Sequence, residues 1–465
     1  MSVQRTKVKS AVRRLAAIIP LHLRMGRKYW ALRRFLATAQ YWSAAEIEAW
    51  QLAKLRDIVA HAYRNTSGYR QLYDEAGVGP ADLRSLADLR HFPSVDKYLI
   101  QENSASFTDA TIKADYCSTG GSSGIPFSFR QTREMQKSVE QAFMHESWAR
   151  IGWKLGMTSA ALRGAYVGSA EKIASYDPLY KELHLSSYYL VEESVARFVE
   201  AINARECDII HAYPSQYYIL CDLAGRVLGA NVPTTARFAF MGSENVYDWQ
   251  LERCREVFPD TRIFTWYGHT EKAIFAPWCE GSQHYHVWPF YGICEVLDAE
   301  GQEVAEGGEG EMVGTSLHSL ATPFIRYRTD DRAIRGANHC PHCGRHFPIL
   351  NRIVGRTHEA VVSRNGRFIT MTAIAGSIHG DIFEQIAHFQ FRQEAVGEVD
   401  FLYVPKPGTQ GPDTVALLAD LQRIFGEDVT VRVVAVESIS RTKLGKYSYL
   451  DQRLKVRYGS DNAST

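Results

Sequence analysis

The sequence predicts an α/β protein: a large layered N-terminal domain carrying a β-rich subdomain, followed by a small C-terminal α+β lid domain. Three observations predict it. Between Ser159 and Trp266, short apolar runs alternate with segments of helical period, the pattern of a largely parallel sheet covered by helices. From about Gly292 the texture changes to short strands and glycine-rich turns. A further unit begins after Gly355, and a chain of 465 residues is too long for one typical core. The predicted division is residues 1–355 and 356–465.

Residues 1–40 stand apart, with ten Lys and Arg and no acidic residue. The apolar patch from Leu15 to Leu23 is broken by Pro20 and is too short for a secretory signal. It reads as a basic helical extension docked on the body, with peripheral contact to an anionic membrane as the alternative. Ala44 to Tyr63 has helical spacing, as does Asp82 to Arg90, which stops before Pro93. One long helix is expected over residues 131–153. Strands follow at Ser159–Gly164, Asp208–Ala212, Arg237–Glu244 and Thr261–Trp266. Helices at Arg197–Ala204, Gln216–Leu228 and Trp249–Phe258 separate them. Ile293–Asp298 and Glu311–Leu317 read as antiparallel strands. In the last unit a hairpin over Val361–Ile369 turns at Asn365-Gly366. A helix near 372–386, a strand over 388–404, a helix over 413–425 and a strand over 429–437 complete it.

Composition narrows the function. With 45% hydrophobic residues, 23% charged residues and a net charge of +1, nothing points to a nucleic-acid partner. No run of 18 apolar residues occurs, so no membrane span is expected. A cytoplasmic location is expected, since eight cysteines in so long a chain form no disulfide framework.

The chain is organised around Ser118-Thr119-Gly120-Gly121-Ser122-Ser123-Gly124. Glycines allow close backbone approach, and consecutive N–H groups with Ser and Thr hydroxyls can wrap a phosphate. By itself the stretch could equally be a flexible linker. Gly242-Ser243-Glu244 and Tyr267-Gly268-His269-Thr270-Glu271 fall at strand ends, where ligands of α/β sheets sit. There a hydroxyl can meet phosphate, a carboxylate can hold Mg²⁺, and Tyr267 offers a flat face for a base. Asp331 can accept from two ribose hydroxyls. Lys446, on a glycine turn near the C-terminus, is a cation that could be delivered to such a site.

The order and spacing of these pieces resemble the adenylate-forming superfamily of acyl-CoA synthetases, and within it the phenylacetate–CoA ligase family. The resemblance covers almost the whole chain. It assigns the phosphate loop to 118–126, and adenine, phosphate and magnesium to Gly242–Glu244 and Trp266–Glu271. Ribose goes to Ile325–Asp331, the hinge to Gly355-Arg356, and the catalytic lysine to Ser440–Lys446. The start, from Ala60-His61-Ala62-Tyr63 to Phe92-Pro93-Ser94-Val95-Asp96-Lys97, resembles a subgroup met in capsular-polysaccharide clusters. The resemblance implies attack of a carboxylate on ATP to give an acyl-adenylate, then transfer to a thiol, usually coenzyme A. Lys446 would bridge carboxylate and phosphate. Gly366 would line the thiol channel after the small domain rotates about Arg356. Two departures stand out: Asp330 replaces the usual glycine before the ribose aspartate, and His358 replaces an acidic residue at the hinge.

Cys279, His286, Cys340 and Cys343 form a Cys₃His set suited to a structural Zn²⁺, with buried free thiols as the alternative. Some phenylacetate–CoA ligase relatives share this arrangement. Phe143, Trp148, Tyr213 and Tyr217 are candidates for an acid pocket, an aryl or arylalkyl acid being the family default. The expected function is therefore an ATP-dependent acid–thiol ligase. An amide or ester ligase acylating an amine or sugar is a second reading, and a silent zinc-stabilised scaffold a third.

Overall fold

The computed structural model describes residues 19–118, 127–165, 172–186, 189–356, 360–365, 368–371, 374, 385–409, 411–440 and 448–454. Thr119–Gly124, His358, Gly366 and Lys446 lie outside the described residues.

Five helices open the fold: α1 (Leu21–Arg24), α2 (Gly26–Ala39), α3 (Ala44–Asn65), α4 (Ser67–Glu75) and α5 (Lys97–Glu102). Ser43 starts α3 with a capping box to Glu46, and Ile47, Leu55, Ile58, Val59 and Ala62 fall on one buried face. The basic helix α2 buries Tyr29, Leu36 and Ala39, and its Arg33 Nε meets Glu146 Oε2 at 2.7 Å. This part of the extension is thus docked on the body. The helix expected over Asp82–Arg90 is instead two 3₁₀ turns, Pro80–Asp82 and Leu86–His91. The Asp82 carboxylate accepts from the Gly79 N–H and the Asp88 carboxylate from the Ser85 N–H, which pinches the chain into separate turns.

β1 (Asp115–Ser118) and β2 (Ser128–Gln131) form an antiparallel pair in which Ser118 faces Ser128, so the Gly/Ser loop leaves and returns at one point. The single helix expected over 131–153 is shorter. Gln131 belongs to β2, a π turn spans Met135–Val139, and α6 (Glu140–Ala149) ends ahead of the left-handed Gly152, φ 103°. The large sheet then builds from β3 (Ser159–Ala165), β4 (Ala174–Asp177), β5 (Glu182–Ser186), α7 (Glu192–Ala204), β6 (Ile209–Ala212), α8 (Pro214–Leu228), β7 (Phe238–Gly242), α9 (Asp248–Val257), β8 (Arg262–Gly268) and β9 (Phe275–Pro277). Its order is β4-β5-β3-β6-β7-β8-β9, parallel from β5 to β8, with antiparallel edges. Ile209, Ile210, Phe238, Ala239, Phe240 and Phe264 fill its core.

β10 (Tyr285–His286), β11 (Gly292–Leu297), β12 (Glu309–Ser316), β13 (Tyr327–Arg335) and β14 (Ile349–Arg356) make a five-stranded antiparallel sheet, as the change of texture predicts. Gly292 sits against the preceding loop so closely that a Cβ would lie 1.9 Å from the Ala273 carbonyl oxygen. Gly292→Ala is therefore expected to destabilise the fold by about 3 kcal/mol in urea unfolding; an unchanged midpoint and slope would contradict this packing.

The remaining strands are β15 (Ala360–Val362), β16 (Phe368–Thr370), β17 (Ile386–Ala395), β18 (Glu398–Pro405), β19 (Thr430–Ala435) and β20 (Leu450–Gln452), with α10 (Thr414–Phe425) started by the Asp413 side chain. Val361 pairs with Ile369, as the hairpin signal predicts. The one strand expected over 388–404 is two, because the left-handed Gly397 (φ 74°) turns β17 back as β18. Ile386 already belongs to β17, and most of the helix expected near 372–386 lies outside the described residues. The four-stranded sheet β19-β18-β17-β20 has its own core of Phe389, Phe391, Phe401, Leu421 and Phe425. Among the described residues no helix is long and apolar enough to cross a membrane.

Candidate active site and metal cluster

The carboxyl ends of β7 and β8, side by side and parallel, carry the two expected motifs. Gly242 pairs with Trp266, and a Cβ at Gly242 would come within 2.8 Å of that indole, so only glycine admits the contact. Glu244 Oε2 accepts from the Ser215 N–H at 3.0 Å, in the first turn of α8.

Glu271 is buried, yet it is held as a carboxylate. Burial pushes its pKa up, but hydrogen bonds from His269, Tyr327 and its own backbone outweigh this and hold it at about 2, below the ordinary 4.5. The Tyr327 hydroxyl donates to Oε1 at 2.7 Å, and His269 Nδ1 stands 3.0 Å from Oε2. His269 Nε2 accepts from the Ile274 N–H at 3.2 Å, which puts the ring hydrogen on Nδ1, facing the carboxylate. Two residues before His269, the Tyr267 hydroxyl donates to Asp331 Oδ2 at 2.6 Å. Asp331 is the cross-strand partner of Arg356, so the ribose and hinge candidates meet across β13 and β14. The Gln131 amide at the end of β2 donates to the Thr270 carbonyl at 3.3 Å, linking the Gly/Ser hairpin to the same turn.

Four left-handed residues other than glycine lie in or beside these motifs: Ser243 (φ 70°), Lys272 (φ 56°), Arg326 (φ 47°) and Asp330 (φ 61°). Such backbone is costly and persists where surrounding structure holds it. Lys97 Nζ holds Asp330 Oδ2 at 2.8 Å, and Glu140 Oε1 holds Lys272 Nζ at 3.1 Å. The aspartate standing where the resembled motif has glycine thus keeps the glycine-like turn and leaves Asp331 in place. Lys97 and His269 stand within sequence motifs, but nothing local in the sequence states their roles or marks Tyr327 and Glu140 as partners. Tyr327 and Asp331 both fall within Ile325–Asp331, but the left-handed Asp330 and a register shift between β12 and β13 interrupt the alternation that would have placed them.

The small domain meets this face through aromatic rings. Tyr449, three residues beyond Lys446 in sequence, lies 6.0 Å from Tyr247 and 5.9 Å from Trp249 between ring centroids. Its hydroxyl accepts from Gln250 Nε2 at 3.2 Å.

Of the aromatic pocket candidates, Phe143 is core, packed on Trp288 and Tyr291, and Tyr217 is core against Phe258. Trp148 stacks on Phe240 at 4.4 Å, and Tyr213 lines a cavity of about 190 Å³.

Cys279, His286, Cys340 and Cys343 converge, their ligand atoms all within 4.8 Å of one another. Cys279 Sγ is 3.9 Å from Cys340 Sγ; a zinc tetrahedron with bonds of about 2.3 Å puts sulfurs about 3.8 Å apart. Both ring nitrogens of the fully buried His286 lack a hydrogen-bond partner. Burial, then the charges of Arg150 and Arg345, lower its pKa to about 3, leaving the neutral ring a metal needs. Sharing with Cys279, and the Arg345 N–H and charge, pull the Cys343 thiol down toward thiolate. Three thiolates around Zn²⁺ would carry one net negative charge, and Arg345 and the buried Arg150 stand ready to balance it. Arg345 is itself held by Glu280 at 2.6 Å, and Arg150 stacks 4.3 Å over Trp288. The residues fit a closed Cys₃His site.

The fold is that of adenylate-forming ligases. It superposes on 2-hydroxyisobutyryl-CoA ligase, solved in the postadenylation state in complex with 2-HIB-AMP, with a TM-score of 0.70 at 20% identity, covering 89% of this chain and 91% of that one. Within that class the chain is a sequence relative of the phenylacetate–coenzyme A ligases. It is 25% identical to the enzyme of Escherichia coli K12 over 384 residues, 78% of this chain and 82% of that one. It is 25% identical to the Thermus thermophilus enzyme over 369 residues, 76% and 80% of the two chains. A weaker relation joins it to protein CapK of Staphylococcus aureus, 19% identical over 418 residues, 87% and 89% of the chains. Residues 361–452 match the CapK C-terminal domain family. The resemblance seen in the motifs thus agrees with relatives found over most of the chain.

Proposed function

We propose that the protein is an AMP-forming acid–thiol ligase, which activates a small carboxylic acid with ATP and passes the acyl group to a thiol, coenzyme A in the first instance. The observation that carries this reading is the linked set Glu271–Tyr327–His269 and Tyr267–Asp331, where the carboxyl end of β8 meets β13 of the antiparallel sheet. The division proposed is a body of 1–355 and a mobile lid of 356–465, hinged at Arg356.

The roles follow from the chemistry. Ser118, Thr119, Gly120, Gly121, Ser122, Ser123 and Gly124 would supply hydroxyl and backbone donors to the phosphates. Gly242, Ser243, Glu244, Trp266, Tyr267 and Gly268 would frame the adenine, and Asp331 would accept from the ribose. Thr270 would donate to a phosphate oxygen. Glu271, ionised and aligned, would hold Mg²⁺, which when bound neutralises phosphate charge. Phosphoryl transfer gains chiefly from placed charge, so a lysine entering between acid and α-phosphate suits the first half-reaction. Tyr449 against Tyr247 and Trp249 supports delivery of Lys446 there, because three residues span at most about 10 Å.

Pyrophosphate release over a carboxylic-acid panel, with and without coenzyme A, tests the proposal. Acid-dependent release accelerated by coenzyme A is expected. Lys446→Ala should lower that release by about 10³-fold, yet leave thiol transfer from preformed acyl-adenylate within about 3-fold. Equal loss in both steps would contradict the lysine's role. If an amine or sugar hydroxyl, and not coenzyme A, speeds turnover, an amide or ester ligase replaces the thiol ligase.

A further inference from the structure

The cavity beside Tyr213 is lined by Ala161, Arg163, Glu182, His184 and Tyr213 and has a volume of about 190 Å³. Sheet register puts these groups on one face. Ala161 on β3 is the Cα partner of His184 on β5 and of His211 on β6. With a side-chain period of two, Arg163, Glu182 and Tyr213 point the same way. His211 lies 5.8 Å from Trp148 and 5.6 Å from Trp266, ring to ring, so the cavity adjoins the candidate nucleotide site. Tyr213 also opens α8, whose Ser215 N–H binds Glu244.

The polar groups here are loosely joined. Arg163 Nη2 is 3.9 Å from Glu182 Oε2, and Arg163 Nη1 is 3.5 Å from His211 Nε2. His184 Nδ1 is 3.3 Å from Glu182 Oε1. A guanidinium has five N–H donors and an ionised carboxylate about four acceptor sites, so most of this capacity is unspent. The set pairs a cation and an anion with imidazole rings that can donate or accept. A second carboxylate on the ligand would be drawn to Arg163 but repelled by Glu182 close by. A plain hydrocarbon would leave both charges poorly solvated. A hydroxyl accepts from Arg163 and donates to Glu182 at once.

We infer that the acid activated by this protein carries a hydroxyl group distal to its carboxylate, read by Arg163 and Glu182 across the small cavity. This rests on the ligase reading above and specifies its substrate class. Small size follows from the volume, which is below the range of pockets for drug-sized ligands. Arg163 and Glu182 are specificity-determining residues on this account.

The test compares matched acids: 3-hydroxybutyrate with butyrate, 4-hydroxyphenylacetate with phenylacetate, and succinate as the dianion. Pyrophosphate release should favour a hydroxylated member by at least about 30-fold in kcat/KM, since a site built to bond a hydroxyl discriminates against its absence. Arg163→Met and Glu182→Met should each reduce that preference to within about 3-fold while the KM for ATP stays unchanged. Equal rates for both members of each pair, or preference for succinate, would overturn the inference. Binding of the same acids is read separately by the fluorescence of the nearby Trp148. If no acid releases pyrophosphate yet the hydroxylated acid binds more tightly and loses that advantage in Arg163→Met, the ligase reading fails and the pocket assignment survives. Equal binding within every pair overturns the pocket assignment itself.

Discussion

Glu271→Gln is expected to reduce acid-dependent pyrophosphate release by about 10³-fold, the scale on which removal of a placed charge or donor costs a transition state. The substitution keeps the shape of the side chain. Its amide oxygen can still accept from the Tyr327 hydroxyl, which now lies 2.7 Å from Oε1. What disappears is the negative charge, which the buried turn maintains at a pKa of about 2. The fold should persist but melt lower, because the new amide NH₂ faces the His269 Nδ1–H and the stabilising charge is gone, so activity is compared well below the melting temperature. Raising Mg²⁺ should recover little, because no other carboxylate occupies that turn. Tyr327→Phe should cost much less, about 10-fold, since it removes one donor and leaves the ionised carboxylate. The reverse order, with Tyr327→Phe worse than Glu271→Gln, would mean that Glu271 serves the fold and not the phosphates. Linkage gives a sign as well. A carboxylate whose pKa falls on folding stabilises the native state above its unfolded value near 4.5, and this contribution is lost as pH drops toward 2.

Cys340→Ser is expected to produce the largest loss of stability. Elemental analysis of the parent should find about one zinc per chain. The variant should lose it and melt at least about 10 °C lower, as should the parent after prolonged chelation. Cys340 is fully buried, and its sulfur stands against Cys279. A metal there would pin the Trp278–Tyr285 turn to the loop after β13. A Cys₃His site has no open position, so catalysis should fall only as the fold does. Metal-free protein with an unaltered melting curve on chelation would leave three free thiols and a buried imidazole as the correct description.

Some of this was legible in the residues because the signals are local. Gly and Ser in succession, a strand followed by Tyr-Gly-His-Thr-Glu, and a Cys-x-x-Cys pair each state their chemistry within a few positions. Apolar period two against period 3.6 likewise marked the alternating strands and helices from Ser159 to Trp266. Local rules also failed in identifiable places. The period of Asp82–Arg90 suits an α-helix, but two aspartates capture backbone donors and leave 3₁₀ turns. The apolar residues of 388–404 run on as if one strand, and Gly397 folds them in two.

By itself the sequence determined the class of protein and the order of its site motifs through their resemblance to a known family, and the four candidate zinc ligands through residue type and spacing. Only the tertiary structure decided the partners of each group. Tyr327 reaches Glu271 from 56 positions away, and Lys97 reaches Asp330 from 233. Sheet register alone turned Arg163, Glu182 and His184 toward one small cavity. Contacts between distant segments depend on which strands pair and in what register, and that is settled by burial of the whole core, which no short window of residues encodes.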